Sequence, residues 1–309
     1  MAKRTRDAGR GLNLHDQVPL ALGQLCVSEG DIVNFGCGMD PASVAIVNAA
    51  NPEGLSGGGV DGAITAAGGM ELAAARRGLP LLRGTSSFER PLRIATGGAV
   101  MTARRDGRAY GKLHCGGVIH AVGPDFGNPL PKQSVEQQFQ LLEDAYASAM
   151  GLAMAAKIEY LCFAPLSAGI FCGMQRRAQV VSVGMHVVAQ FSYSGLKEVH
   201  FVGYGREQRV ELCGILRATP CPPLATARDP ESEDAEAMML RVRCAIMGLR
   251  SPATGTDAAA WQGTDWAAPG EMFDKLLERL SRRKPSHWIV AAARRLDQAE
   301  VPDASEVAL

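Results

Sequence analysis

Short runs of uninterrupted apolar residues, each followed by a turn and then by helical spacing, constrain this chain more than any other feature. The clearest are Val44-Ala45-Ile46-Val47-Asn48, Gly117-Val118-Ile119-His120-Ala121-Val122, Tyr160-Leu161-Cys162-Phe163-Ala164 and Val199-His200-Phe201-Val202-Gly203-Tyr204. Two more candidates lie at Leu25-Cys26-Val27 and Gly98-Ala99-Val100-Met101-Thr102. A strand with apolar side chains on both faces is one that is covered on both faces. Between the runs, Ser134 and Gln137 have the spacing of a capping box, and Phe139, Leu142, Tyr146, Met150 and Ala153 follow on one helical face. A second helical pattern covers 176–190, with Val180, Val183 and Val187 or Val188 as its stripe. Strands alternating with helices predict an α/β fold, with a mixed, mostly parallel sheet between helical layers and ligands at the carboxyl ends of its strands.

The alternation covers residues 21–218 of a 309-residue chain, so one domain of ordinary size with extensions is expected. Residues 1–20 read as a flexible N-terminal tail, since Met1-Ala2-Lys3-Arg4-Thr5-Arg6 is basic and has no apolar segment behind it, which argues against a secretory signal. Residues 219–234, with Pro220-Cys221-Pro222-Pro223 and Arg228-Asp229-Pro230-Glu231-Ser232-Glu233-Asp234, have linker composition. Three helical patterns, at 235–248, 270–283 and 286–298, predict a helical C-terminal extension over 235–309, to which the sequence assigns no role.

Charge and cysteine usage narrow the function classes. Formal net charge is zero, so no global field draws nucleic acid or an anionic membrane, and no nucleic-acid or membrane partner is expected. No apolar run is long enough for a transmembrane helix. Eight cysteines without a CxxC pair, several inside apolar runs, point to an intracellular, reducing compartment: cytoplasm, nucleus or mitochondrion. His114-Cys115 and Cys162 lack a second ligand pair, so no metal and no cofactor are expected. His120, inside an apolar run, reads as a core histidine.

Chemistry concentrates at two strand ends. Asn48-Ala49-Ala50-Asn51 leads to Gly57-Gly58-Gly59-Val60-Asp61-Gly62, after which a helix of small residues begins. Consecutive glycines let the backbone approach a ligand with its N–H groups turned inward, and a helix N-terminus adds positive potential. Alone, the three glycines read equally as a flexible turn. A second loop, Pro165-Leu166-Ser167-Ala168-Gly169-Ile170-Phe171-Cys172-Gly173, repeats the strand–loop–helix plan. Two such cradles side by side suit a diphosphate. Neither carries the GK[ST] ending of a P-loop, and the first is not in a GxGxxG frame, which disfavours Mg-nucleotide hydrolysis and nicotinamide redox chemistry.

Taken in order, Gly30-Asp31-Ile32, Ala45 to Asn51, Gly57 to Gly62, Val118 to Pro124 and Ser167 to Gly173 resemble the macrodomain family over roughly 22–217, most closely its MacroD-type ADP-ribosylhydrolases. The resemblance implies a three-layer α/β/α sandwich that binds ADP-ribose; a monomer is expected. It implies that Asp31, with the Ile32 N–H beside it, takes the adenine amino group, with turn capping as the alternative. Tyr204 is implied against the adenine, or else as a packing residue. Asn51 is implied on the distal ribose, Phe171 as the ring over it or as a loop anchor, and Asn48 as structural. The diphosphate is implied among Gly57, Gly58, Gly59, Val60, Ser167, Ala168, Gly169 and Ile170. Asp61 is implied to orient or deprotonate the attacking water; stabilising the helix dipole, worth ~0.3–1 kcal/mol, is the competing role. Where MacroD-type enzymes commonly carry a histidine one turn after that acid, this chain has Thr65. The function so implied is hydrolysis of mono-ADP-ribose from acidic side chains of modified proteins, together with deacetylation of O-acetyl-ADP-ribose. The alternatives are a non-catalytic ADP-ribose reader that recruits modified partners, and a scaffold in which residues 225–309 do the main work.

Overall fold

The six apolar runs all become strands, and they share one sheet. The computed structural model describes residues 11–82, 91–104, 106–129 and 133–219. Among these, β1 (Asn13–Pro19), β2 (Gln24–Glu29), β3 (Val44–Ala49), β4 (Ala99–Ala103), β5 (Gly117–Ala121), β6 (Tyr160–Phe163) and β7 (Glu198–Gly203) lie in the order β1-β2-β7-β6-β3-β5-β4. The five inner strands run parallel, and the edge strands β1 and β4 pair antiparallel to β2 and β5.

Alternation along the inner strands divides the core. Leu25, Val27, Ala45, Val47, Ile119, Ala121, Leu161, Phe163, Val199 and Phe201 face α2 (Val135–Ala155), α3 (Arg177–Gln190) and α4 (Arg206–Ala218). Val44, Ile46, Val118, Cys162 and Val202 face the other way, onto Ile64 and Leu72 of α1 (Gly59–Arg77) and onto Ile32 and Phe35. Helices on both faces make the three layers, and explain why the inner strands carry apolar residues at successive positions. Ser134 and Gln137 form the expected capping box at the start of α2.

Two elements depart from the sequence reading. Residues 13–19, read as tail, form edge strand β1, whose side chains alternate between exposed and half-buried. An edge strand makes ladder bonds on one side only and here buries no side chain fully, so Leu14 and Val18 leave a thin apolar signal. The polar sequence Arg206-Glu207-Gln208-Arg209 hides α4, whose buried stripe is Leu212, Ile215 and Leu216. Residues 1–10, the linker beyond Thr219 and the expected helical extension over 235–309 lie outside the described residues.

α1 is not one straight rod. Gly69, at φ 67° and ψ −161°, interrupts it in a conformation that side chains with a Cβ strongly disfavour. The Ala67 carbonyl just before the break accepts the Lys112 N–H at 2.7 Å. The second half of α1 therefore leaves the line of the first.

Candidate functional site

The sheet delivers every candidate residue to one end. Asp31 follows β2, Tyr204 follows β7, Ser167 to Phe171 follow β6, and Asn51 with the glycine loop follows β3, all past the carboxyl ends of parallel strands. β2 and β7 pair at Glu29 and Gly203, and the Gly30 N–H donates to the Gly203 carbonyl at 3.0 Å, so Asp31 and Tyr204 leave neighbouring strands at the same level. Asp31 uses Oδ1 to cap the short 3-10 turn at Ile32–Asn34 by accepting from the Val33 N–H. Turn capping is thus realised there. Tyr204 is 76% exposed, so it is not a core packing residue.

The glycine loop is organised by Asp61. That residue is 3% exposed and sits in the first turn of α1. Its Oδ2 accepts the Gly57 N–H at 2.7 Å. Its Oδ1 accepts from Asn48 Nδ2 at 2.6 Å and from Arg76 Nη1 at 2.5 Å. Gly57, expected among the ligand's donors, therefore gives its N–H to Asp61. The inward donors left are those of Gly58 onward, because no side chain caps the N-terminus of α1. Gly57 is glycine for a local reason: a Cβ there would stand 3.0 Å from Asp61 Oδ2 and 3.2 Å from Asn51 Nδ2. Asn51 and Asp61 thus meet on one side of residue 57. The Oδ1 of Asn51 is buried and has no hydrogen-bond partner among the described residues.

The geometry limits how Asp61 could orient or deprotonate a water. A carboxylate offers about four lone-pair sites. Oδ1 has filled both of its own and Oδ2 one, so one lone pair is left for a water. The guanidinium of Arg76, 1% exposed, also pairs with this carboxylate, so Asp61 is not a lone negative charge. The sequence gives little sign of this partner, which lies 15 residues away on the far side of the Gly69 break. Thr65 is drawn into the same network: its Oγ1 donates to the Asp61 carbonyl at 2.8 Å and accepts from Arg76 Nη1 at 2.6 Å.

Behind Asp61 the network continues into the sheet. Asn48 Nδ2 lies 3.1 Å from His120 Nδ1, and His120 Nε2 lies 3.0 Å from Thr102 Oγ1. An amide nitrogen only donates, so Nδ1 accepts and Nε2 carries the proton. Burial, with the Arg76 charge adding to it, holds His120 well below the ordinary imidazole range, so it is neutral. Asn48 and His120, which the sequence read as structural, join β3 and β5 to the start of α1.

The second loop is fixed from beneath. Ser167, at φ 54°, donates its hydroxyl to the Pro124 carbonyl at 2.7 Å, and Tyr146 Oη accepts the Leu166 N–H at 2.8 Å from inside the core. Ala168 gives its carbonyl to Arg177 Nε at 2.9 Å, and the Phe171 carbonyl accepts the Phe126 N–H at 2.8 Å. Gly169 has no side-chain cap bond above the 3-10 turn Ile170–Cys172, and Ile170 stands 91% exposed at its tip. Elsewhere among the described residues, Cys26, Glu198 and His200 bring ligand atoms of metal-binding types within 4.8 Å of one another. There His200 Nδ1 pairs with Ser28 Oγ at 2.8 Å and Nε2 with Glu198 Oε2 at 2.8 Å, a satisfied buried group under the ring of Phe35.

Comparison with known proteins bears on the family and the fold. Residues 47–181 match the family model described as the Macro domain. A protein of Salmonella gallinarum named O-acetyl-ADP-ribose deacetylase is 34% identical over 186 residues, 60% of this chain and 89% of the relative. One of the same name from Citrobacter rodentium is 34% identical over 165 residues, 53% of this chain and 81% of the relative. Among solved structures, an Oceanobacillus iheyensis macrodomain with ADP has a TM-score of 0.50 at 24% identity, covering 65% of this chain and 94% of that one; the likeness bears on the fold.

Proposed function

The chain belongs to the macrodomain family, and on that premise we propose that it binds ADP-ribose and hydrolyses esters between a carboxylic acid and the distal ribose. O-acetyl-ADP-ribose and mono-ADP-ribose on Glu or Asp side chains share this bond, so one site serves both. Adenine lies at Asp31, Ile32 and Tyr204. The diphosphate lies between the N-terminus of α1 (Gly58, Gly59, Val60) and the Ser167–Phe171 loop, where two sets of backbone N–H groups supply positive potential without metal or cofactor. The distal ribose lies against Asn51 and Phe171.

The observation that carries this reading is the buried Oδ1 of Asn51, which has no partner among the described residues and belongs to a side chain whose Nδ2 stands beside Gly57. Buried polar atoms are rarely left unpaired, and a ribose hydroxyl is the right donor for it. In the reaction, water attacks the ester carbonyl carbon, the bond from that carbon to the ribose oxygen breaks, and the ribose oxygen leaves with a proton. ADP-ribose and the free acid are the products. The remaining lone pair on Asp61 Oδ2 orients the water, and the substrate's phosphate oxygens are the second acceptor in reach of it.

A second reading rests on one observation: Asp61 is ion-paired and 3% exposed, as a loop brace would be in a non-catalytic ADP-ribose reader. Incubating the protein with O-acetyl-ADP-ribose, and separately with a target mono-ADP-ribosylated on Glu, decides between them. Release by wild type, lost in Asn51→Ala and Asp61→Asn, supports the hydrolase. ADP-ribose binding by wild type with release of neither group leaves the reader.

A further inference from the structure

Among the described residues, Arg76 is the largest of the fully buried side chains. It comes from the last turn of α1, yet four of its hydrogen bonds go to the glycine loop and the first half of that helix. Nε donates to the Gly54 carbonyl at 2.9 Å and Nη2 to the Leu55 carbonyl at 2.7 Å. Nη1 donates to Asp61 Oδ1 at 2.5 Å and to Thr65 Oγ1 at 2.6 Å. The planar guanidinium matches this set of acceptors as a lysine ammonium would not, because its donors are fixed in a fork. The chain at Gly54 and Leu55 leads within two residues to Gly57, whose own N–H ends on the same carboxylate. One side chain thus reaches both ends of the loop that precedes the cradle, and the acid that holds it.

We propose that Arg76 is the positioning residue of this site: it cancels the charge of Asp61 and locks the Gly54–Gly57 segment, so that an acid at the cradle is compatible with an anionic diphosphate. The proposal rests on the ADP-ribose reading above and deepens it. The charge of the Asp61–Arg76 pair is zero, so the cradle presents the diphosphate with backbone N–H groups and no opposing field. Removing Arg76 alone exposes the ligand to an unbalanced carboxylate in a site of low dielectric. Removing both charges restores neutrality.

The test is titration of ADP-ribose into the full chain as wild type, Arg76→Met, Arg76→Lys and the double variant Arg76→Met with Asp61→Asn, with melting temperatures for each. The expected result is a loss of affinity of about tenfold or more in Arg76→Met, a smaller loss in Arg76→Lys, and recovery in the double variant to within about threefold of wild type. A purely architectural role gives the opposite for the double variant, which then binds as weakly as Arg76→Met or more so; that result overturns the proposal, as does an Arg76→Met protein that binds like wild type. If Arg76→Met does not fold, the double variant alone decides: folded and binding supports the proposal, folded and not binding sinks it. If wild type itself binds no ADP-ribose, the functional reading fails instead. The charge pairing is then read in the melting temperatures, with Arg76→Met below the double variant if Arg76 balances Asp61 and no lower than it if Arg76 does not.

Discussion

Arg76 Nη1 stands 2.5 Å from Asp61 Oδ1 although the two residues belong to the same helix, 15 positions apart. Along an unbroken helix they would be separated by ~22 Å. The break at Gly69 lets the last turn return to the first, and the ion pair closes the resulting bend. The glycine loop is held by that closure more than by its own sequence.

Replacing Gly69 with alanine should therefore disturb the site from a distance. At φ 67° and ψ −161° a Cβ meets no neighbour within 4 Å, so the cost is backbone strain and not crowding. A loss of about 1–3 kcal/mol in urea unfolding is expected. Gly78→Ala is the control: its backbone is right-handed helical and its nearest Cβ contacts are at 3.5 Å, so it should cost well under 1 kcal/mol.

Gly58→Ala should separate binding from stability. Residue 58 has ordinary extended dihedrals, φ −90° and ψ 178°, and a Cβ there would meet nothing within 4 Å. The substitution should cost at most about 1 kcal/mol in stability, through the poorer N-cap. It should still weaken ADP-ribose binding about tenfold or more if the proposed site is right, since the methyl group then enters the space proposed for the phosphates. Unchanged affinity would place the diphosphate elsewhere.

Stability should fall as the pH drops below neutrality, before carboxylates titrate. Burial holds His120 well below the usual value of 6.5, and desolvation pushes His186 down to about 4. Between each folded value and 6.5 the unfolded chain binds a proton that the folded chain does not. Stability is thus complete above about pH 6.5 and is lost progressively below it, with a slope of up to about 1.4 kcal/mol per pH unit per proton. Urea midpoints measured from pH 8 to pH 5 check this, and His186→Gln should remove part of the slope. A flat profile would mean that neither histidine changes protonation on unfolding.

How much of this was legible in the sequence follows from where each signal resides. The inner strands were readable because both faces are covered, which writes apolar residues at successive positions such as Val44 to Val47. β1 and α4 were not, since β1 buries no side chain fully and α4 only Leu212, Ile215 and Leu216. Asn51, Gly57 and Asp61 were legible as parts of one motif, because all three lie within one short stretch of chain after a strand. Arg76 was not: its partners lie across a break marked only by Gly68-Gly69 in a run of small residues, and the pair Arg76-Arg77 near a helix end carries no sign of burial. Thr65 stood out as a departure, but its meaning came only with the guanidinium beside it.

The central claim is that this strand-end site holds ADP-ribose, with Asn51 on the distal ribose. Titration calorimetry of the full chain with ADP-ribose, wild type against Asn51→Ala, tests it most directly. Saturable one-to-one binding by wild type, weakened about tenfold or more in Asn51→Ala through loss of a buried hydrogen bond, is the expected result. No binding by folded wild-type protein, or equal affinity in the two, would contradict it.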